Sequence, residues 1–399
     1  MKDISQRAYN IADLREIAQR RLPKGLYEFV DRGTEDEVSL RRNREVFESI
    51  KLKPRTLVDV SGRSQAITLF GHELKMPIAI APTGSAALMW YEGEIALARA
   101  AAAAGIPFTL ATGSMTAMER IVEEAGGRLW FQLYMWPDRS LSHKLVERAK
   151  AAGYEALVVT VDSAVPANRE YNRRNGYTVP FTFMRRNVAY VLMHPRWLFG
   201  VLTRYVLTTG MPRYANYPSE LKNRITGRPM GTSMTKNDSL NWEDLRALRK
   251  RWPHTLMVKG ILTPEDAVLA AECGADGIIV SNHGGRNLDS SLAPIEVLPE
   301  VVDAVGKRLT VIVDSGFRRG SDVVKALALG AKAVLIGRPT LYGTAAAGEA
   351  GATRAIAIYR EEIDRVLALI GCRCIAEPNP DSVVMPDTFF APPVPSQTG

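Results

Sequence analysis

The side chains able to do chemistry gather at a few abrupt changes of polarity. In GIIVSNHGGRNLD, the apolar run Gly277 to Val280 gives way to Ser281, Asn282, His283, two glycines and Arg286. Asp162 ends a second such run, ALVVTVD. A carboxylate beside an imidazole orients it and stabilises its protonated form, which is how a general base is built. Arg169 and Arg286 follow those same two runs. Two guanidinium forks facing one small space fit a planar anion, most simply a carboxylate. Lys259 closes TLMVKG. A lysine among basic groups suits an acceptor that gains negative charge, such as the N1/C2=O region of a flavin on reduction. An ion pair with Asp314 is the plainer alternative. DSGFRRGSD and IGRP hold Gly316 and Gly337, which allow close approach, and Arg318 and Arg338, which add charge. Backbone N–H groups and a helix N-terminus there would hold a phosphate.

Strand ends and turns also favour Gly, Asn and an occasional His, so the arrangement has to decide the matter. Eight apolar runs occur in order, at 77–82, 108–112, 128–134, 156–162, 255–260, 277–283, 310–316 and 333–339. Nearly continuous hydrophobicity is expected of parallel strands buried on both faces. Several runs are entered alike: an Ala-rich helix stops at Gly105, Gly153, Gly274 or Gly330, and a strand follows. Repeated helix–Gly–strand units predict an α/β fold, a TIM (β/α)8 barrel. The polar residues sit at the strand ends that form one barrel mouth: Thr83, Thr112, Gln132, Tyr134, Thr160, Asp162, Lys259, Ser281, His283, Asp314 and Arg338. Residues 1–60 precede the first strand and read as helical around 11–30. The connection after the fourth strand is too long for an ordinary βα loop, so 171–240 is expected to be an insertion over the mouth. One barrel domain over 1–375 is followed by a Pro-rich, extended tail at 376–399.

The chain is 46% hydrophobic and 24% charged, an ordinary globular composition. Three cysteines without zinc-ligand spacing imply neither a disulfide framework nor a metal site, and favour a reducing compartment. The N-terminus has no apolar signal segment and no 18-residue apolar run occurs. No GxGxxG follows a strand, which argues against a nicotinamide dinucleotide fold. The net charge of +8 is local: residues 171–219 hold seven arginines and no Asp or Glu. Within 177–217 the arginines alternate with Phe, Trp, Tyr and Leu. A cationic, aromatic segment too short to span a bilayer fits an element lying on an anionic leaflet; a lid or subunit contact is the alternative. With no nucleic-acid module in view, nucleic acid is not the expected partner.

Taken together, SNHGGRNLD, DSGFRRGSDVVKALALGAKAVLIGRPTLYG, WFQLY, TVD with NRE, and LPKGLYEF with GTEDE resemble the FMN-dependent 2-hydroxy-acid dehydrogenase/oxidase family over residues 8–375. The likeness is greatest to its (S)-mandelate dehydrogenase branch, with the membrane L-lactate dehydrogenases near. The resemblance implies FMN as cofactor and oxidation of a small 2-hydroxy acid. His283 would take the proton with Asp162 supporting it, Tyr134 would contact the substrate oxygen, and Arg169 and Arg286 would hold its carboxylate. Lys259 would stabilise reduced flavin. Pro82, Thr83, Gly84, Gln132, Thr160 and Ser281 would line the flavin ring, and Asp314, Ser315, Gly316, Arg318, Gly337 and Arg338 the ribityl phosphate. It further implies membrane attachment on the cytoplasmic side of the inner membrane, a quinone-like acceptor and a tetramer. Two positions depart. Phe29 stands where the family has a tyrosine that helps bind the carboxylate, a hydrogen bond worth about 1.5–3 kcal/mol. Ala111 replaces a serine, so a flavin contact is missing or moved to Thr112. Gly84, often Ala in the oxidases, favours a dehydrogenase. The competing readings are a soluble oxidase using O2, another FMN barrel resembling isopentenyl diphosphate isomerase, whose family does not have the paired arginines present here, and a non-catalytic membrane-bound flavoprotein, which would not need His283 beside Asp162.

Overall fold

The computed structural model describes residues 3–176, 185–218 and 238–386. Eight short strands form the centre: β1 (Ile78–Ile80), β2 (Phe108–Ala111), β3 (Leu129–Leu133), β4 (Ala156–Thr160), β5 (Thr255–Ile261), β6 (Gly277–Val280), β7 (Thr310–Val313) and β8 (Ala333–Ile336). Each pairs in parallel with the next, and β8 pairs with β1 to close the barrel. Period-two alternation divides their side chains. Ala79, Trp130, Val158, Met257, Ile279, Ile312 and Leu335 fill the lumen, whereas Ile78, Phe131, Leu157, Val258, Ile278, Val311 and Val334 join the larger core shared with the helices. Gly105, Gly153, Gly274 and Gly330 all have positive φ where helix gives way to strand, as expected.

The bottom of the barrel is plugged by a hairpin that the sequence reading passed over. Residues Ile67–Leu69 and His72–Leu74 pair antiparallel and place Leu69 and Leu74 in the lumen cluster. Phe70 meets Trp130 edge-on, with ring centroids 6.3 Å apart.

At the other end, helices α1 (Ile11–Arg21), α2 (Lys24–Asp31) and α3 (Val38–Ser49) wrap from the N-terminus toward the mouth. Asp289, the last residue of SNHGGRNLD, accepts from the N–H groups of Asp36, Val38 and Ser39 and so ties this loop to the start of α3. The insertion leans on the loops after β1 and β2. Trp197 Nε1 donates to the Leu88 carbonyl at 2.7 Å, and the Tyr205 hydroxyl accepts from the Glu92 N–H at 2.8 Å. Its residues 177–184, with Phe181 and Phe183, and 219–237 lie outside the described residues, as does the tail from 387. The earlier tail packs back: Val383–Val384 pairs antiparallel with Lys51–Leu52. No helix among the described residues is long and apolar enough to cross a membrane.

Candidate active site

The mouth end of the barrel holds a cavity whose walls come from β1 to β8 and α2. Its lining includes Phe29, Tyr134, Arg169, Lys259, His283 and Arg286 on one side and Ser315, Gly316, Arg318, Gly337 and Arg338 on another, with Pro82, Thr83, Gly84, Gln132, Thr160 and Asp314 between. The residues singled out in the sequence thus converge, although they span more than 300 positions of chain.

The strand-to-turn change at β6 has a steric cause. His283, Gly284 and Gly285 follow one another at φ of 58°, 66° and 68°. A Cβ on Gly284 would lie 2.7 Å from Arg338 Nη1, and one on Gly285 would lie 2.6 Å from the Leu40 backbone nitrogen. Only glycine fits either place. The left-handed turn at His283 carries its imidazole over the lumen, a strained backbone of the kind held at functional sites.

His283 Nδ1 lies 2.8 Å from Asp162 Oδ1, and its Nε2 lies 3.3 Å from the Tyr134 hydroxyl. Asn287 steadies the aspartate, donating to its backbone carbonyl at 2.8 Å and to Oδ1 at 3.3 Å. Sequence reasoning missed Asn287, although it lies in the quoted motif. Burial pushes the imidazole below its ordinary pKa against the pull of Asp162. Burial would raise the Asp162 carboxyl, but His283 and Lys259 carry it down. The pair therefore rests as neutral imidazole and carboxylate, the state of a base ready to accept. Burial, with the charge of Asp162 behind it, raises the Tyr134 phenol, which stays protonated.

Lys259 is buried between Asp314 Oδ2 at 2.9 Å and Ser281 Oγ at 2.7 Å. Burial alone would lower its pKa; Asp314 and Asp162 raise it, so the ammonium stays charged. The ion pair with Asp314 and a place on the cavity wall are both present.

Arg169 donates through Nε to the Arg286 carbonyl at 3.1 Å, and Arg286 donates to the Arg32 carbonyl at 2.8 Å. Burial and the neighbouring Arg286 bring Arg169 down to about 10. The guanidinium of Arg286 stands 5.2 Å from the centre of the Phe29 ring, so the aromatic face occupies the position where a hydroxyl is absent. Two cations held together, with no ion pair to a carboxylate among the described residues, leave room for an anionic ligand.

Three expectations change in detail. Thr112 does not reach the cavity: its Oγ1 donates to the Gln132 carbonyl at 2.6 Å and accepts from the Tyr134 N–H at 3.1 Å, while Ala111 forms the wall. Ser281 stands behind Lys259 instead of on the wall, accepting from its ammonium and from the His283 N–H at 3.0 Å. Arg338 is no free charge for a phosphate, because its guanidinium donates to the carbonyls of Val30, Gly284 and Arg32. Burial and Arg286 lower it to about 10. What this residue offers an anion is the backbone start of the helix Arg338–Leu369. Arg318, on the wall, holds its guanidinium 5.4 Å from the centre of the Tyr342 ring and makes no side-chain hydrogen bond or ion pair among the described residues, which leaves its charge open to an anion. A methyl on Gly84 would find its nearest neighbour, the Gly113 carbonyl, at 3.7 Å, so crowding does not dictate glycine there.

A buried ammonium, an open guanidinium beside a helix start, and amide and hydroxyl groups at Gln132 and Thr160 suit a flat, hydrogen-bonding ring with a phosphate tail. The comparisons agree. Residues 18–385 match the FMN-dependent dehydrogenase family. This chain belongs to that family. It is 44% identical to (S)-mandelate dehydrogenase of Pseudomonas putida over 95% of this chain and 94% of that one. It is 40% identical to L-lactate dehydrogenase of Pseudomonas paraeruginosa over 93% and 97%. A crystal structure of (S)-mandelate dehydrogenase, described as a monotopic membrane protein, superposes with a TM-score of 0.89 at 42% identity, covering 95% of this chain and all of that one. The chain is an FMN-dependent dehydrogenase of the (β/α)8 class, and FMN is its cofactor.

Proposed function

We propose that this dehydrogenase oxidises an (S)-2-hydroxy acid, mandelate-like or lactate-like, to the 2-oxo acid and passes the electrons to a membrane quinone. The observation that carries this reading is the chain Tyr134–His283–Asp162 facing the arginine pair 169 and 286 across one cavity. Arg169 and Arg286 receive the carboxylate. That sets the C2 hydroxyl toward His283 Nε2, which is neutral and within reach of the Tyr134 hydroxyl. His283 takes up a proton released as the hydroxyl becomes a carbonyl, and Asp162 stabilises the imidazolium. Bound FMN supplies the two-electron acceptor. Lys259 would face its electron-rich edge, and Gly316, Arg318 and the backbone of Gly337 and Arg338 would hold its phosphate.

The membrane part is supported by the insertion. Leu192, Met193, Phe199 and Leu207 are 64–79% exposed there, among arginines. Arg174 is partly neutralised by Glu170 at 2.6 Å, which trims the charge that the arginine count suggests. The chain thus serves as a peripheral enzyme, and the tetramer and cytoplasmic face are part of this same proposal.

Anaerobic mixing with (S)-mandelate, L-lactate and glycolate tests the reaction. The yellow flavin band should bleach with at least one acid and the matching 2-oxo acid should form. Reoxidation by a soluble ubiquinone analogue should outpace reoxidation by air. No bleaching with any acid would contradict the substrate class, and faster reoxidation by air would replace the dehydrogenase with an oxidase.

A further inference from the structure

A second arginine pair lies outside the flavin site. Arg21 closes α1 with its guanidinium carbon 4.2 Å from the centre of the Trp90 ring. Its Nη2 lies against the insertion, 3.6 Å from where a Cβ on Gly200 would stand. Its Nε is buried and has no hydrogen-bond partner among the described residues. No carboxylate among the described residues offsets it: Glu16 is taken by Arg20 and Asp31 by Arg15. Arg196 precedes Gly200 by four residues in the same helical run, about one turn, and so comes toward Arg21; burial and the charge of Arg196 both lower the Arg21 pKa.

A guanidinium at a helix C-terminus, stacked on tryptophan, is favourable by itself. That accounts for the stacking. It does not account for a second arginine brought toward it, since like charges repel until an anion lies beside them. An anion on the outer nitrogens of the two guanidinium groups offsets that repulsion. The mount is firm: Trp197 and Tyr205 fix the flanking turns to Leu88 and Glu92, on either side of Trp90. The same turns expose Leu192, Met193, Phe199 and Leu207 to solvent. A phosphate-sized charge next to uncovered apolar side chains describes an amphiphile better than a free ion.

We propose that Arg21 of the first helix and Arg196 of the insertion together hold the phosphate of a membrane phospholipid headgroup, with the exposed Leu192, Met193, Phe199 and Leu207 entering the acyl region. This rests on the membrane attachment proposed above but adds a defined site, half of it built from outside the insertion.

The test uses the FMN-loaded enzyme and co-sedimentation with phosphatidylcholine vesicles containing phosphatidylglycerol. Arg21→Gln should weaken binding about tenfold or more, as loss of a charge-assisted contact does. Arg185→Gln removes the same charge from the insertion, away from the site, and should cost at most about fivefold, the diffuse surface effect. Flavin content and anaerobic reduction by substrate should match wild type in both. Should Arg21→Gln fail to retain FMN, the exposed Arg196→Gln takes its place with the same expectation. Equal losses at 21 and 185 would overturn the site in favour of diffuse attraction. Monomeric dihexanoyl phosphatidylglycerol should bind wild type in titration calorimetry, and inorganic phosphate should bind far more weakly. Equal affinity for the two would make this a soluble-anion site and overturn the lipid assignment. Failure of wild type to pellet with any vesicle would defeat the attachment itself, a result distinct from wild-type-like pelleting of Arg21→Gln, which would defeat only the site.

Discussion

The two ends of the barrel are built on the same eight strands and treat water oppositely. The bottom is closed by Leu69, Phe70, Leu74 and Trp130, and the Arg128–Glu155 ion pair beside them stays partly open to solvent. The mouth buries Asp162, Lys259, His283, Asp314 and Arg169, each tied to a neighbour. Burying charge is costly unless it is paired. The mouth accepts that cost in return for groups whose protonation differs from their behaviour in water, whereas the bottom contributes packing alone. Substitutions at the two ends should therefore separate stability from turnover.

The largest effect on stability is expected at the bottom. Trp130→Ala should destabilise by about 3–5 kcal/mol, as deletion of a large buried aromatic does, while the rate per FMN-loaded molecule stays near wild type. Denaturant unfolding beside anaerobic reduction measures both; a selective loss of rate would show that the ends are not independent. A smaller effect is expected at the mouth from Phe29→Tyr. It returns a donor next to Arg286 and should tighten a small 2-hydroxy acid about tenfold, the low end of a hydrogen bond to a charged group. An unchanged or weaker Kd for lactate would mean that the acid does not sit against residue 29. Smallest is the pH effect. The base must be neutral to work, and burial lowers His283. Reduction should therefore hold as pH falls past about 6.5, the ordinary imidazole value, and decline only below it. A decline beginning above that value would mean that Asp162 outweighs burial.

The same contrast explains what could be read in the sequence. All eight strands were legible because each is an apolar run buried on both faces, and the site because its polar residues break those runs at one end. The plug was not: ITLFGHEL makes two three-residue strands, too short for a periodic signal. Arg338 and Thr112 looked like ligand contacts because side-chain type was visible and direction was not. Their partners are backbone carbonyls and N–H groups, which leave no trace in residue identity. The cap that Asp289 gives α3 joins positions about 250 apart and exists only once the barrel has closed.

The central claim is that His283, held neutral beside Asp162, is the base of the reaction. Stopped-flow anaerobic reduction of FMN-loaded His283→Ala by the acid that bleaches wild type most rapidly tests it most directly. The FMN content should equal that of wild type, because no flavin-holding group is removed, and the reduction rate should fall by about 10²- to 10⁴-fold, the span of general-base catalysis. Reduction of the variant at the wild-type rate would contradict the account.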